Sequence, residues 1–322
     1  MTDCTPEDPR MEFFHKVTRF PFMNTRKVWY GLSAALIVTS LALVAIRGLN
    51  LGVDFTGGVV VETNFPQAPN IEMLRSALAK AGIEAAQVQA FGSSRDILVR
   101  LPPDPNAKGD QIGARILEVF AGVDKGVKLQ RTEVVGPQVG QELFIKGGWA
   151  LVATLFLILI YVLLRFTFKL AMGAIFAVLH DPICVLGFFA LTQMTFDLTA
   201  ISAILAVIGY SLNDTVIVFD RIRERARISR KLTIAQVIDE SINQTLSRTL
   251  MTKLVTLLVV LALLIFGGET LHGFSAALVI GIIAGTYSSI YISAALALDF
   301  GLRTEDLMER KLTKPEEIDG LP

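Results

Sequence analysis

Long apolar runs separated by short charged ones fill most of this chain, and one extended polar stretch interrupts them after the first run. A bilayer core about 30 Å thick is crossed by about 20 apolar residues of helix. Six runs meet that length: Val28–Ile46, Phe144–Leu164, Leu170–Leu191, Leu198–Phe219, Thr249–Phe266 and Phe274–Leu298. The first is too long for the apolar core of a signal peptide and has no small-residue cleavage site behind it, so it is expected to remain as a membrane helix. The pattern predicts a polytopic α-helical membrane protein with six transmembrane helices.

The polar insert between the first two helices has its own periodicities. Val59–Phe65 is β-branched and extended. Ile71, Leu74 and Leu78 recur at helical spacing in Asn70–Lys80, with Asn70 placed to cap and Gly82 to stop the helix. Gln87–Phe91 and Ile97–Leu101 alternate around a turn at Gly92–Asp96, Gln111–Phe120 is a second amphipathic helix, and Lys128–Val135 a last strand. The order β-α-β-β-α-β predicts a ferredoxin-like α+β domain. It holds no His, no Cys and no Gly-x-Ser-x-Gly, so a binding or mechanical role is expected of it.

Composition agrees with the hydropathy. Of 322 residues 52% are hydrophobic and 19% charged, with a mean hydropathy of +0.54, which excludes an ordinary soluble enzyme. Thirty basic and thirty acidic side chains cancel, and nothing points to nucleic acid. The two cysteines, Cys4 and Cys184, support neither a disulfide scaffold nor a metal site. No metal or other cofactor is expected.

The distribution of Lys and Arg sets the orientation. Basic residues crowd the N-terminal segment (Arg10, Lys16, Arg19, Arg26, Lys27), the turn at Arg165 and Lys169, the stretch from Arg221 to Arg248, and the tail (Arg303, Arg310, Lys311, Lys314). Thr192–Asp197 and Gly267–Gly273 contain none. Both termini are therefore expected in the cytoplasm and the insert outside, since a segment that long crosses largely regardless of charge. The expected organisation is a cytoplasmic segment at 1–27, helix one at 28–46, an external domain at 47–143, helices two to six within 144–298 with a basic cytoplasmic loop at 220–248, and a cytoplasmic tail at 299–322. Thr233–Leu246, with apolar residues at helical spacing, is expected to lie on the membrane surface. Anionic lipid and topology account for the arginines.

Ionisable groups inside a span are costly and mark function. Asp214 stands near the cytoplasmic end of span four and heads a polar stripe, Ser202, Ala206, Tyr210, Asp214, whose intervals of four are expected to place it on one face of the helix. With Tyr210, Asn213 and Thr215 beside it, the carboxyl is a candidate proton carrier; the alternative is an Asp that glues helices together. Lys253 in span five matches Asp214 in depth, and Arg248 sits one turn nearer the cytoplasm. Each is a candidate counter-ion, with snorkelling the alternative for Lys253 and lipid phosphate for Arg248. His180-Asp181-Pro182 falls in the middle of span three, either as a relay pair at a kink or as a neutral pair locking a neighbouring helix. Gly281, Gly285, Ser289 and Ser293 make a small-xxx-small face for close helix packing.

Three stretches carry a resemblance. Gly52-Val53-Asp54-Phe55-Thr56-Gly57-Gly58 follows span one, Val135-Gly136-Pro137-Gln138-Val139-Gly140 precedes span two, and span four runs Gly209-Tyr210-Ser211-Leu212-Asn213-Asp214-Thr215-Val216-Ile217-Val218-Phe219-Asp220-Arg221-Ile222-Arg223-Glu224. In this order, over nearly the whole chain, they resemble the SecF members of the SecD/SecF family, within the resistance-nodulation-division (RND) superfamily. The resemblance implies one six-span half of a twelve-span assembly in the bacterial inner membrane, with SecD as a separate chain supplying the other half. It implies association with the SecYEG channel, with YajC and YidC, and use of the proton-motive force to draw preproteins across after the ATPase SecA has driven them in. The family's essential span-four carboxylate carries onto Asp214 and its basic residue at the head of span five onto Arg248; Lys253 has no counterpart to carry. Asp54, Thr56, Gly57 and Gly58 match the external motif, and with Gly136, Pro137 and Gly140 they stand at the joints of the insert, as candidate flexible connections.

Two other functions remain open on the sequence: a proton-coupled exporter of small molecules or lipids, and a structural subunit that stabilises its partner without moving protons. The insert's few aromatics, Phe55, Phe65, Phe91 and Phe120, speak against a substrate pocket. An intramembrane hydrolase has no nucleophile at a recognisable spacing from His180-Asp181, so the chain is read as a non-enzyme.

Overall fold

The computed structural model describes residues 18–83, 85–102, 109–229 and 231–307. Cys4, Arg10, Lys16, Arg230, Arg310, Lys311 and Lys314 lie outside these residues, as do most of the two terminal segments. After a short 3-10 turn, Phe22–Thr25, come α1 (Arg26–Arg47), the single turn α2 (Val53–Thr56), β1 (Gly58–Asn64), α3 (Ile71–Lys80), β2 (Gln87–Phe91), β3 (Ser93–Leu101), α4 (Gly109–Ala121) and β4 (Lys128–Val135). Then follow α5 (Pro137–Arg165), α6 (Phe168–Thr192), α7 (Leu198–Ile228), α8 (Ile234–Phe266), α9 (Gly268–Tyr287), a π-helical turn (Ser288–Ile292), α10 (Ser293–Asp299) and α11 (Thr304–Leu307). Six helical segments are long and apolar enough to cross a membrane: Phe22–Arg47, Pro137–Arg165, Phe168–Thr192, Leu198–Ile228, Ile234–Phe266 and Leu271–Asp299.

The insert folds as the periodicities predict. Its strands are all antiparallel in the order β2-β3-β1-β4, the order of a split βαβ unit. Asn70 Oδ1 accepts the backbone N–H of Glu72 at 2.9 Å and caps α3. Gly82 follows the helix at φ +78°, where a side chain would be strained. One face of the sheet closes over α3 and α4 around Val61, Phe65, Leu74, Val99, Ile116 and Phe120. β3 begins four residues earlier than expected, because the turn is confined to Gly92 and pairing resumes with Phe91 opposite Ser93.

The helical bundle departs from its sequence reading in one larger respect. Ile234 to Leu246 does not lie apart as a surface helix. It is the first third of α8, and Val237, Ile238, Ile242 and Leu246 are buried against Phe22, Met23, Phe219 and Leu302. Apolar residues at helical spacing need an apolar surface, and the N-terminal turn provides one as well as lipid does. The Thr233 hydroxyl and Gln236 close a capping box that starts this helix.

α6, α7 and the α9–α10 segment form the centre of the bundle, while α1, α5 and α8 lie at its edge with most of their apolar surface uncovered. Two apolar clusters fill the two ends. One gathers Leu170, Phe219, Ile222 and Ile238, the other Phe189, Phe196, Ile204 and Ile282. Between them on the central helices lies a layer of buried polar residues, among them His180, Asp181, Ser211, Asp214 and Ser288. Glycines let the helices meet there: a Cβ on Gly281 would lie 2.1 Å from Val207 Cγ2 and one on Gly173 2.1 Å from the Ser293 carbonyl oxygen. The π-turn contains Ser289, buried like Ser288 and Ser293, so the interval of four beginning at Gly281 is not continued as a regular helical face.

The end of the described chain is pinned by charge. Lys169 Nζ donates to Asp306 Oδ2 at 2.7 Å and to the Gly301 carbonyl at 2.8 Å. The Lys169 hydrogen bond is the main cause holding the Asp306 carboxyl below its ordinary range. A depressed folded value means the contact stabilises fully above the ordinary carboxylate pKa, near ~4, and is lost as pH falls through the lower folded value. The pair is about a third exposed, so the contribution is below about 1 kcal/mol. Thermal unfolding of wild type and Asp306→Asn should differ slightly at neutral pH and converge in acid; an equal difference at both would exclude the carboxylate as its source.

Candidate functional site

Two helices deliver the central pair. α7 carries Asp214 on the face turned into the bundle, and α8 brings Lys253 to it from the opposite direction. Lys253 Nζ lies 2.7 Å from Asp214 Oδ2, and both residues are less than a tenth exposed. The approach is close in distance but off the hydrogen-bonding directions, so Oδ2 accepts no regular hydrogen bond. Thr249, one turn before Lys253, is also buried, with its hydroxyl unpartnered. Ser211, one turn before Asp214, is buried with an unpartnered hydroxyl as well. Desolvating two opposite charges is costly, and removing either one leaves the other uncompensated. A proton added to Asp214 would cancel its attraction for Lys253.

The other candidates divide. Tyr210 is 48% exposed and Asn213 is exposed too, so both face away from the interior that holds Asp214, and among the described residues neither is hydrogen-bonded to it. Ser202 and Gly209 share this outward face. Arg248 is likewise exposed, with no ion pair among the described residues, whereas Lys253 of the same helix is buried. His180 and Asp181 are buried at the centre of α6, their Nδ1 and Oδ1 3.0 Å apart, around Pro182. His180 Nε2 meets the Tyr287 hydroxyl of α9, which in turn meets Ser33 of α1, and neither contact involves α8. Among the described residues no group of His, Cys, Asp and Glu is placed to hold a metal ion.

The joint between insert and bundle contains contacts that the sequence could not show. Asp54 Oδ2 accepts the backbone N–H of Leu198 at 3.1 Å, so the insert's first turn caps the N-terminus of α7, the helix that carries Asp214. Asp197 caps the same end through Ala200 N–H at 2.9 Å. Gly52 and Phe196 bond backbone to backbone at 2.8 Å. The Thr56 hydroxyl donates to the carbonyls of Gly52 and Gly57. Gly57 and Gly140 are where backbones cross: a Cβ on Gly140 would stand 2.8 Å from Gly57 N and one on Gly57 2.9 Å from Pro137 Cα. Arg100 of β3 donates to Asn50 Oδ1 and Thr195 Oγ1, and burial pulls its guanidinium below its ordinary pKa. A cavity of about 390 Å³ beside it is lined by Asp54, Glu62, Arg100, Asp197 and His272.

A six-helix bundle with a buried acid–base pair between two of its helices, and a split-βαβ insert hydrogen-bonded to the end of one of them, defines a class of polytopic membrane protein with an inserted α+β domain. Comparison with known proteins gives the family. Residues 115–303 match the protein export membrane protein SecD/SecF C-terminal family, and residues 42–66 match the SecD/SecF GG motif. The chain is 47% identical to the protein translocase subunit SecF of Haemophilus influenzae, over 94% of this chain and 91% of that one. It is 46% identical to that of Vibrio alginolyticus, over 94% and 96%. A crystal structure of SecDF, a translocon-associated membrane protein from Thermus thermophilus, superposes with a TM-score of 0.78 at 37% identity, over 88% of this chain. The chain spans 39% of that longer one. It belongs to the SecD/SecF family.

Proposed function

We propose that this chain is the SecF-type subunit of a protein-translocation complex and that Asp214 is the group through which a proton gradient drives it. The role in protein translocation follows from family membership at near-full coverage. The proton role rests on one observation above the rest: a buried Asp214–Lys253 pair on a helix whose other end is capped by Asp54 of the insert. Protonating Asp214 releases Lys253, the packing of α7 on α8 changes, and α7 passes the displacement through Asp54 to the sheet. One charge crossing 100 mV supplies about 2.3 kcal/mol, so a few protons per cycle suffice for a rigid-body movement.

Topology and partners complete the reading. The distribution of basic residues favours cytoplasmic termini and an insert on the far side of the inner membrane, where an emerging preprotein is reached. The exposed side chains of Ser202, Tyr210 and Asn213 on α7 and of Arg248 on α8 are polar, which is unfavourable against lipid. A second six-helix half, SecD as a separate chain, covers them, consistent with this chain matching only part of the SecDF chain. SecYEG, YajC and YidC are the further partners of this reading.

Asp214→Asn keeps the shape and cannot ionise. In cells lacking the native protein, at matched expression and with SecD still co-purifying, it is expected to abolish both gradient-driven export of a secreted reporter and proton uptake by membranes. Normal export would leave a scaffold in which Asp214 only holds helices together.

A further inference from the structure

The buried polar layer contains a second cluster that the Asp214–Lys253 pair does not use. His180 Nε2 is 2.5 Å from the Tyr287 hydroxyl, which is 2.8 Å from Ser33 Oγ of α1, while Nδ1 faces Asp181 Oδ1 at 3.0 Å. Trp29 packs over Tyr287. Both imidazole nitrogens therefore have oxygen partners, and an added proton on the ring would be paired at once by the adjacent carboxylate. Cys184 Sγ, 3.5 Å from Nε2, completes the surroundings on α6.

Asp181 has a second oxygen. Oδ2 has no hydrogen-bond partner although the residue is fully buried, and it lies against Gly285 of α9, 3.1 Å from where a Cβ would stand. The same Cβ position is 3.4 Å from Ser211 Oγ, which is also buried and unpartnered. Two unpaired polar atoms thus flank one glycine, and Ser211 is one helical turn from Asp214 on α7. Buried orphan groups cost about 1–3 kcal/mol each, so a pair of them kept side by side points to use.

We propose that His180–Asp181, held by Tyr287, is a second proton-holding centre and that the Ser211 hydroxyl links it to Asp214. The proposal rests on Asp214 carrying a proton. In the transfer, the O–H bond of Asp214 breaks, Ser211 Oγ accepts that proton and gives its own to Asp181 Oδ2. Asp214 becomes a carboxylate paired with Lys253, and the proton rests on Asp181 Oδ2, while Oδ1 of the same carboxyl faces His180 Nδ1. Two O–H bonds break and two form, so one proton is transferred net and no other bond changes. The groups facing this centre are Cys184 on α6, Tyr287 on α9, Ser33 and Trp29 on α1, and Ser211 and Asp214 on α7, with Lys253 of α8 behind Asp214. α5 and α10 add no hydrogen bond or ion pair to it among the described residues.

The test is infrared titration of buried carboxyl bands in the complete complex with its partner chain, reconstituted in lipid vesicles. Asp181→Asn is expected to remove one band and to leave the Asp214 band in place. Ser211→Ala, which removes one hydroxyl and leaves every carboxyl in place, is expected to slow proton exchange between the two without abolishing either band. His180→Gln keeps hydrogen-bonding capacity but takes up no proton, and should lower gradient-driven export about a hundredfold at unchanged complex yield. No band lost in Asp181→Asn, unchanged exchange in Ser211→Ala, or wild-type export by His180→Gln would overturn the second centre. Normal export by Asp214→Asn would instead overturn the reading on which it rests, and the Asp181 band would still be observed or not on its own account.

Discussion

Replacing Lys253 by methionine is expected to destabilise the complex by about 3–5 kcal/mol and to end proton-driven export, because the Asp214 carboxylate is then left buried as an uncompensated charge. Asp214 is 4% exposed, and its Oδ2 has no other partner to fall back on. The variant carboxyl escapes the penalty only by keeping a proton permanently, and a group that never releases its proton cannot couple a gradient to movement. The double variant Lys253→Met with Asp214→Asn separates the two effects. Two neutral side chains of similar volume should recover the stability to within about 1 kcal/mol, since well-packed replacements for a buried pair are often neutral, yet transport should stay absent. Thermal unfolding in lipid discs and export of a secreted reporter read the two quantities. Unaltered stability and export in the single variant would mean that the 2.7 Å contact is not used.

The residues differ in how openly the sequence displays them. Hydropathy finds all six spans because burial in lipid or protein demands apolar surface in either case. It misses their ends: α5 begins at Pro137, well before Phe144, because helical hydrogen bonds continue into water where apolar side chains no longer pay. The α+β insert is legible since its alternations are short and its cap and stop residues sit where the backbone needs them. The stripe through Ser202, Ala206, Tyr210 and Asp214 is not one face. Each step of four residues overshoots a helical turn by about 40°, so from Ser202 to Asp214 the position walks by about a third of the circumference. That drift turns Asp214 inward and leaves Ser202 and Tyr210 outside. Depth matching brings Lys253 to Asp214 because antiparallel neighbours invert depth. Nothing in the sequence brings Asp54 to Leu198, or His180 to Tyr287, since those pairs are fixed by how helices pack.

Gly58→Ala is expected to uncouple the insert from the bundle. Gly58 sits at φ +128°, a conformation that L side chains rarely adopt, and a Cβ there would lie 2.4 Å from the Leu101 carbonyl oxygen. That oxygen belongs to backbone at the end of β3, next to the Val59–Leu101 pairing, so no rotamer change relieves the contact. Backbone strain and overpacking each cost about 1–3 kcal/mol, and here they fall on one residue. The strain is placed where it separates the edge of the sheet from α2, the turn that carries Asp54 to the end of α7. Gly136 provides the control: its φ is −65° and a Cβ would meet nothing within 4 Å, so Gly136→Ala should behave as wild type. At matched expression Gly58→Ala should retain SecD in co-purification through the helices, become more sensitive to protease within the insert, and lose export. If protease resistance and export both survive, the GG turn is not the mechanical joint, and displacement of α7 must reach the sheet through Arg100 and its bonds to Asn50 and Thr195.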